Sequence, residues 1–100
     1  MADYIFLTHE HRSDSAADLA DPWVGYIGRL QTAGCFDGGS AIGGGVCARK
    51  AGDPPPITRH LTGYIRVRAE SLEAARGLLT GHPVFEAGGV VEIRELPRSD

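Results

Sequence analysis

The sequence predicts an α+β fold in which two helices cover one face of four antiparallel strands. Strand-like and helix-like segments follow one another in the order βαββαβ, and no repeat or linker interrupts them. Capping residues flank both helix-like segments, and turn residues separate the strands. This is the order of the split-βαβ, or ferredoxin-like, arrangement, which predicts a sheet with the spatial strand order 4-1-3-2.

The first strand and the first helix lie in the N-terminal third of the chain. Residues 3–9 ("DYIFLTH") are aromatic and β-branched, which is typical of a strand, and the polar residues 10–20 predict a loop. The helix is predicted to start with Asp21 as its N-cap and Pro22 at its first position, and Gly34 suits its C-terminal cap. Its apolar stripe consists of Trp23, Ile27 and Leu30.

The middle of the chain predicts two strands joined by a turn. Residues 36–50 ("FDGGSAIGGGVCARK") predict a glycine-rich second strand, whose register the pattern does not fix. Residues 51–59 ("AGDPPPITR") are rich in proline and predict a turn, and the alternating residues 60–69 ("HLTGYIRVRA") predict the third strand.

The last third predicts a helix and a strand. Ser71 is the expected N-cap of the second helix, and Gly81 is expected to end it. The apolar face of this helix consists of Leu72, Ala75, Leu78 and Leu79. Residues 88–97 predict the final strand, so we expect one domain over residues 1–97 and a frayed tail over residues 98–100.

Side-chain alternation assigns the two faces of the sheet. The residues predicted to face the helices are Ile5, Leu7, Leu61, Ile65, Val67, Val91 and Ile93. The opposite face is predicted to carry Tyr4, Phe6, Thr62, Tyr64, Arg66, Glu92 and Arg94. This mixture is too apolar for plain solvent and too polar for a core, which predicts a homodimer that buries this face. The alternative is a solvated face with paired charges.

The composition narrows the classes of function. In a chain of 100 residues, 42% hydrophobic and 23% charged residues are typical of a globular domain. The net charge of −3 argues against a nucleic-acid or anionic membrane partner, because both require a basic patch. We expect neither a membrane span nor a signal peptide. Cys35 and Cys47 have no CxxC spacing, which favours free thiols in a cytoplasmic protein. The glycines at 43–45 lack the context of a phosphate loop, and we predict no cofactor.

All four histidines fall at one edge of the predicted sheet, although they are spread along most of the chain. His9 and His11 follow strand 1, His60 begins strand 3, and His82 precedes strand 4. Because histidine is the commonest general acid or base, this convergence predicts a small-molecule site. The candidate catalytic residues are His82, His9 and His60. The candidate ligand-binding residues are Trp23, Arg59, Tyr64, Arg66 and Glu92.

Simpler interpretations of the histidines stay open. His9 and His11 point the same way in an extended segment and could share a metal ion, but a solvated loop explains them as well, and we predict no metal site. His82, just before Pro83, could cap the end of the second helix through its last carbonyls rather than transfer a proton.

Two segments resemble the YCII-related family, also called YciI-like or DGPF proteins. Residues 62–97 ("TGYIRVRAESLEAARGLLTGHPVFEAGGVVEIRELP") are similar to the family's closing strand, helix, His-Pro or Asp-Pro turn, Gly-Gly stretch and "VEIR-P"-like strand. Residues 30–42 ("LQTAGCFDGGSAI") are similar to the end of its first helix and the strand that follows. The resemblance implies a dimeric α+β barrel built from one YCII-related domain.

The resemblance also implies where a site lies. Some members carry a proposed His–Asp pair, and in this chain Trp23 or a neighbour stands near the first position and His82 occupies the second. The pair itself is absent, and "GDPPPITR" stands where the Asp-Gly-Pro-Phe signature is expected. One member is similar to a dehydrochlorinase of aromatic degradation.

The sequence as a whole predicts a YciI-like homodimer with a small-molecule site at the histidine-rich edge. We expect a lyase or hydrolase in which His82 works with His9 or His60. The alternative is a dimer without catalytic activity, which binds a metabolite or another protein.

Overall fold

The computed structural model describes residues 1–10 and 16–98, and these form the predicted ferredoxin-like arrangement. The strands are β1 (Ala2–His9), β2 (Phe36–Ala41), β3 (Leu61–Ala69) and β4 (Val91–Leu96). The helices are α1 (Ala16–Thr32), α2 (Leu72–Gly77) and α3 (Pro83–Glu86). The strands form one antiparallel sheet in the order β2-β3-β1-β4, which is the predicted order.

The helices pack on one face of the sheet. The side chains of β1 point to the opposite faces from those predicted. Tyr4, Phe6 and Thr8 are buried in the core, whereas Ile5 and Leu7 are half-buried on the opposite face. The predicted assignment for β1 was wrong because both sets of alternating residues are apolar, so alternation does not distinguish them. On the neighbouring strands the predicted core residues Ile65, Val67, Val91 and Ile93 do pack with the helices.

Helix α1 begins earlier than predicted. It starts at Ala16, so Asp21 is not its N-cap and Pro22 lies inside it. The alanines and leucine before Pro22 are strong helix formers, and they extend the helix through a position where proline offers no N–H. At its other end Gly34 caps the helix as predicted, with a φ of 76°. The N–H groups of Cys35 and Gly34 donate to Leu30 and Gln31, which is a Schellman motif.

Strand β2 is shorter than predicted. It ends at Ala41, and residues 42–60 run to β3 without regular secondary structure. The glycines at 43–45 explain the difference, because glycine has no side chain to pack on a sheet. Gly38, with a φ of 96°, lies in the register shift between Phe36 and Gly39.

The second helical segment divides into two helices. Ser71 is the N-cap of α2 as predicted, and its side chain accepts a hydrogen bond from Ala74 N–H at 3.1 Å. Helix α2 ends at Gly77 rather than Gly81, and a turn then leads into α3, which the sequence did not predict. Helix α3 places His82 at its start.

The face of the sheet opposite the helices is called here the open face. By the strand register it carries Asp3, Ile5, Leu7, Tyr64, Arg66, Arg68, Glu92, Arg94 and Leu96. Arg98, in the predicted tail, forms an ion pair with Asp3 at 2.7 Å. Both cysteines are free thiols. No helix in the described ranges is long and apolar enough to cross a membrane.

Candidate functional site

The sheet separates the three candidate catalytic histidines into two groups. His82 packs against Phe6, which belongs to the buried set of β1 residues. His9 instead contacts Glu92, whose partner across the strands is Leu7 of the open face. The predicted single site is therefore divided, because residues of opposite parity on one strand point to opposite faces of a sheet.

Local sequence fixes the position of His82. Its backbone is extended, with φ −64° and ψ 121°, and Pro83 begins α3 directly after it. Its Nδ1 accepts a hydrogen bond from the N–H of Phe85 at 3.4 Å, which is the contact of an N-cap side chain. His82 therefore caps the start of α3, and not the end of the preceding helix.

Aromatic rings surround the imidazole of His82. The centroid of the Trp23 ring lies 4.8 Å away and that of Tyr26 5.2 Å away, both edge-to-face, with Phe6 at 6.4 Å. The His82 residue is fully buried, and this burial lowers its pKa to about 4. The ring is therefore neutral at physiological pH.

The hydrogen bonds of His82 leave one buried donor unused. Because Nδ1 accepts from Phe85, the proton of the neutral ring lies on Nε2. Within the described ranges of the chain, this Nε2 has no hydrogen-bond partner. The site therefore offers a neutral N–H group inside an aromatic wall.

Tyr26 completes this wall, and it was not among the residues predicted from the sequence. Its O–H donates to the carbonyl of Leu78 at 2.7 Å, which ties α1 to the end of α2. Burial raises the pKa of Tyr26, so its hydroxyl stays protonated and keeps its hydrogen bond to Leu78. The spacing of three residues from Trp23 was the available signal, since residues three apart share one face of a helix.

A second group of predicted residues meets on the open face. His9 Nε2 lies 3.1 Å from Glu92 Oε1, and the ring of His60 is edge-on to that of His9 at 4.6 Å. Tyr64 shares this face, because it lies opposite Leu7 in the strand register. We call His9, His60 and Glu92 the open-face cluster.

Two predicted ligand-binding residues, of which Arg66 also lies on the open face, are not part of the open-face cluster. Arg66 pairs with Asp37 at 3.0 Å, and Arg59 is exposed in the segment before β3. His11 lies outside the described residues. In the part of the chain that the structure describes, no group of three or more His, Cys, Asp or Glu side chains is arranged to hold a metal ion.

A groove of about 490 Å³ lies beside the outer edge of β4, between this strand and the two short helices. Its lining consists of Glu73, Arg76, Gly77, Leu79, Phe85, Val91 and Ile93. Phe85 is 44% exposed, which is unusual for so large an apolar side chain. The sequence pattern did not predict this groove.

These features define a class of protein: a ferredoxin-like α+β fold that holds a buried neutral histidine between its sheet and its helices. No family model matches the chain, and no curated protein matches its sequence. A solved structure does match: 5-chloro-2-hydroxyhydroquinone dehydrochlorinase from Burkholderia phenoliruptrix AC1100, in complex with 2,5-dihydroxybenzoquinone. The similarity has a TM-score of 0.60 at 13% identity, and it covers 97% of this chain and 95% of the dehydrochlorinase chain. At this identity the comparison supports the fold.

Proposed function

We propose that the chain is a YCII-related protein that acts as a lyase on a small planar molecule bound at His82. The observation that carries the proposal is the buried Nε2–H of His82, which has no partner within the described residues. An unsatisfied buried donor costs roughly 1–3 kcal/mol, so a ligand atom that accepts from it would recover this free energy on binding.

The surroundings of His82 indicate the class of ligand. Trp23 and Tyr26 present ring edges and faces within 4.8–5.2 Å of the imidazole, which favours contact with another planar ring. The N–H requires an acceptor, such as a carbonyl or phenolate oxygen. The similar dehydrochlorinase structure contains 2,5-dihydroxybenzoquinone, which combines a planar ring with such oxygens.

The chemistry of a lyase gives the N–H of His82 a role. In an elimination, an external base such as hydroxide takes the proton from the carbon next to a carbonyl, and negative charge develops on the carbonyl oxygen of the enolate. The leaving group then departs as an anion with the electron pair of its bond. A fixed, dry N–H directed at that oxygen stabilises the charge. A neutral imidazole suits this role because it donates a hydrogen bond without carrying its own charge into a buried site. A pKa of about 4 makes His82 a weak base, which favours the donor role.

Binding can be tested with the variant His82→Asn. Asparagine is a good N-cap, so its side-chain oxygen can accept from Phe85 N–H as Nδ1 does, but it has no counterpart of Nε2. Trp23 is the only tryptophan of the chain and lies beside His82, so its fluorescence reports binding there. We expect 2,5-dihydroxybenzoquinone to quench this fluorescence saturably in the native protein. In His82→Asn we expect its Kd to be at least tenfold higher. Equal affinities would refute the site.

Turnover is tested separately. We expect chloride release from 5-chloro-2-hydroxyhydroquinone by the native protein and none by His82→Asn. Saturable binding without chloride release from this or related chlorinated phenols would instead favour the alternative function, a metabolite-binding protein without catalytic activity.

We also propose that the open face is buried in a homodimer. Ile5 and Leu7 are half-exposed at its centre, and the molecule is only 19 Å thick in its thinnest direction. Ion pairs such as Arg66–Asp37 lie beside the apolar centre, so a second copy would cover apolar surface without leaving those charges unpaired.

A further inference from the structure

Within the described residues, strand β4 is an edge of the sheet, and the register identifies which of its backbone groups do not bond to β1. His9 N–H donates to Val90 C=O at 3.0 Å, so the residues of β4 bonded to β1 continue as Glu92 and Arg94. The N–H and C=O groups of the alternate residues Val91, Ile93 and Glu95 therefore point away from β1. They form a row of donors and acceptors that a further strand could use.

The groove beside this edge accommodates the side chains of such a strand. Val91 and Ile93 line the groove, so their side chains lie on the same side of the sheet as Phe85. An added strand would bond to the edge and lay its apolar side chains against Phe85, which is 44% exposed.

We propose that β4 of a second copy of this chain binds here, antiparallel to the first and centred on Ile93. The charged side chains of β4 determine which partner and which register are favoured. To continue the sheet with matching faces, a two-fold pairing of β4 with itself must be centred on a residue, and the residues near the middle of β4 are Glu92, Ile93 and Arg94. Centring on Glu92 places this glutamate opposite its own copy, and centring on Arg94 does the same for the arginine. Centring on Ile93 places Glu92 opposite Arg94 of the second copy, twice.

The Ile93-centred pairing also satisfies the backbone. Ile93 exchanges hydrogen bonds with Ile93 of the second copy, and Val91 does so with Glu95. The two four-stranded sheets become one continuous sheet, and on the helix side Ile93 packs against Ile93 of the second copy at the groove. This edge is a different surface from the open face, so one chain can form both contacts at once.

Disulfide cross-linking tests the register directly. In the proposed pairing Glu92 and Arg94 of the second copy form a non-hydrogen-bonded pair, with Cα atoms about 4.5 Å apart, within the range of about 4.4–6.8 Å that a disulfide requires. Glu92 and its own copy lie about 8 Å apart, too far to be bridged, and the same holds for Arg94. Cys47 is replaced by serine in both proteins, because it is the more accessible of the two thiols.

Cross-linking is expected only when the two cysteine variants are mixed. An equimolar mixture of Glu92→Cys and Arg94→Cys should cross-link under mild oxidation, whereas each variant alone should not. The mixture also keeps one complementary pair, between Arg94 of the first variant and Glu92 of the second. Cross-linking of either variant alone, or no cross-linking in the mixture, would overturn the proposal.

A second pair of variants separates edge binding from misfolding. Phe85→Glu places a charge in the groove, and Val24→Glu makes a comparable change on α1, where Val24 is 75% exposed. We expect Phe85→Glu, but not Val24→Glu, to reduce the cross-linking yield at least fivefold, with unchanged circular dichroism in both. Equal yields would count against the groove. These results do not depend on ligand binding at His82. Glu92 and Arg94 also lie on the open face, so the cross-linking is run with Leu7→Glu in the background, which removes any contact through that face.

Discussion

Burial of a neutral His82 links the stability of this protein to pH. The pKa of His82 falls from an ordinary value near 6.5 to about 4 in the folded chain. Between these values the unfolded state binds a proton that the folded state does not, so the free energy of unfolding falls as the pH drops from about 6.5 to 4. A shift of this size corresponds to a loss on the order of 3 kcal/mol, which is complete near the lower pKa.

Urea unfolding at pH 7 and pH 4.5 measures this effect. Carboxylates also contribute to acid destabilisation, so the informative quantity is the difference between the native protein and His82→Asn, which keeps the N-cap but does not titrate. We expect the native protein to lose more stability than the variant over this interval. Equal losses would show that His82 is accessible to protons in the folded state.

Asp3 and Arg98 provide a second test at the residue scale. The hydrogen bonds from Arg98, at 2.7 and 3.2 Å, hold the pKa of Asp3 below its usual range. We expect Arg98→Gln to raise the pKa of Asp3, as followed by NMR of its carboxyl carbon during a pH titration. An unchanged pKa in this variant would mean that the pair does not persist in solution.

The residue-level features of the site were only partly predictable from the sequence. Pro83 at the first position of α3 is a helix-start signal, and it could have located His82 as an N-cap. The phase of β1 could not be predicted in this way. Phe6 and Leu7 are both apolar, and only packing against the helices determines which of them is buried.

At the scale of elements, β2 depends on close contact with β3. A Cβ atom on Gly39 would lie 2.5 Å from the carbonyl oxygen of Tyr64, which is backbone and cannot easily move. We expect Gly39→Ala to lower the free energy of unfolding by about 1–3 kcal/mol, as overpacking does elsewhere, in urea titrations. Gly43→Ala is the matched control, because nothing lies within 4 Å of the added methyl group and its cost should be near zero. A small effect of Gly39→Ala would show that β2 can shift away from β3.

The elements with strong local signals were predicted well, and those set by competing signals were not. Ser71 and Gly34 cap their helices as expected, because a cap depends on one side chain or one backbone angle. Pro22 was misleading, since a proline that suits the first position of a helix also lies inside one when strong helix formers precede it.

At the scale of the whole molecule, element order was sufficient for the strand order but not for the site. The order βαββαβ predicted which strands are neighbours, and it correctly brought His9 and His60 together. It could not show that His82 lies across the sheet from them. That separation depends on the buried side of β1 and on α3, a four-residue helix with no periodicity of its own to read.

The proposed homodimer gives a prediction at the same scale. Leu7 lies at the centre of the open face, half-buried in one chain and fully covered if a second copy packs there. Leu7→Glu would place an unpaired carboxylate in that interface, where its desolvation is costly. We expect this substitution to raise the Kd of the homodimer at least tenfold, as measured by analytical ultracentrifugation.

Two controls make this result specific to the open face. Val24→Glu introduces the same charge on an exposed position of α1 and should leave the association unchanged. The assay is run with Phe85→Glu in the background, which weakens pairing at the β4 edge. Under these conditions the parent protein should sediment as a dimer and the Leu7→Glu protein as a monomer. A parent that is monomeric at micromolar concentration, or a Leu7→Glu protein that stays dimeric, would mean that Ile5 and Leu7 are instead tolerated in contact with solvent beside the ion pairs of this face.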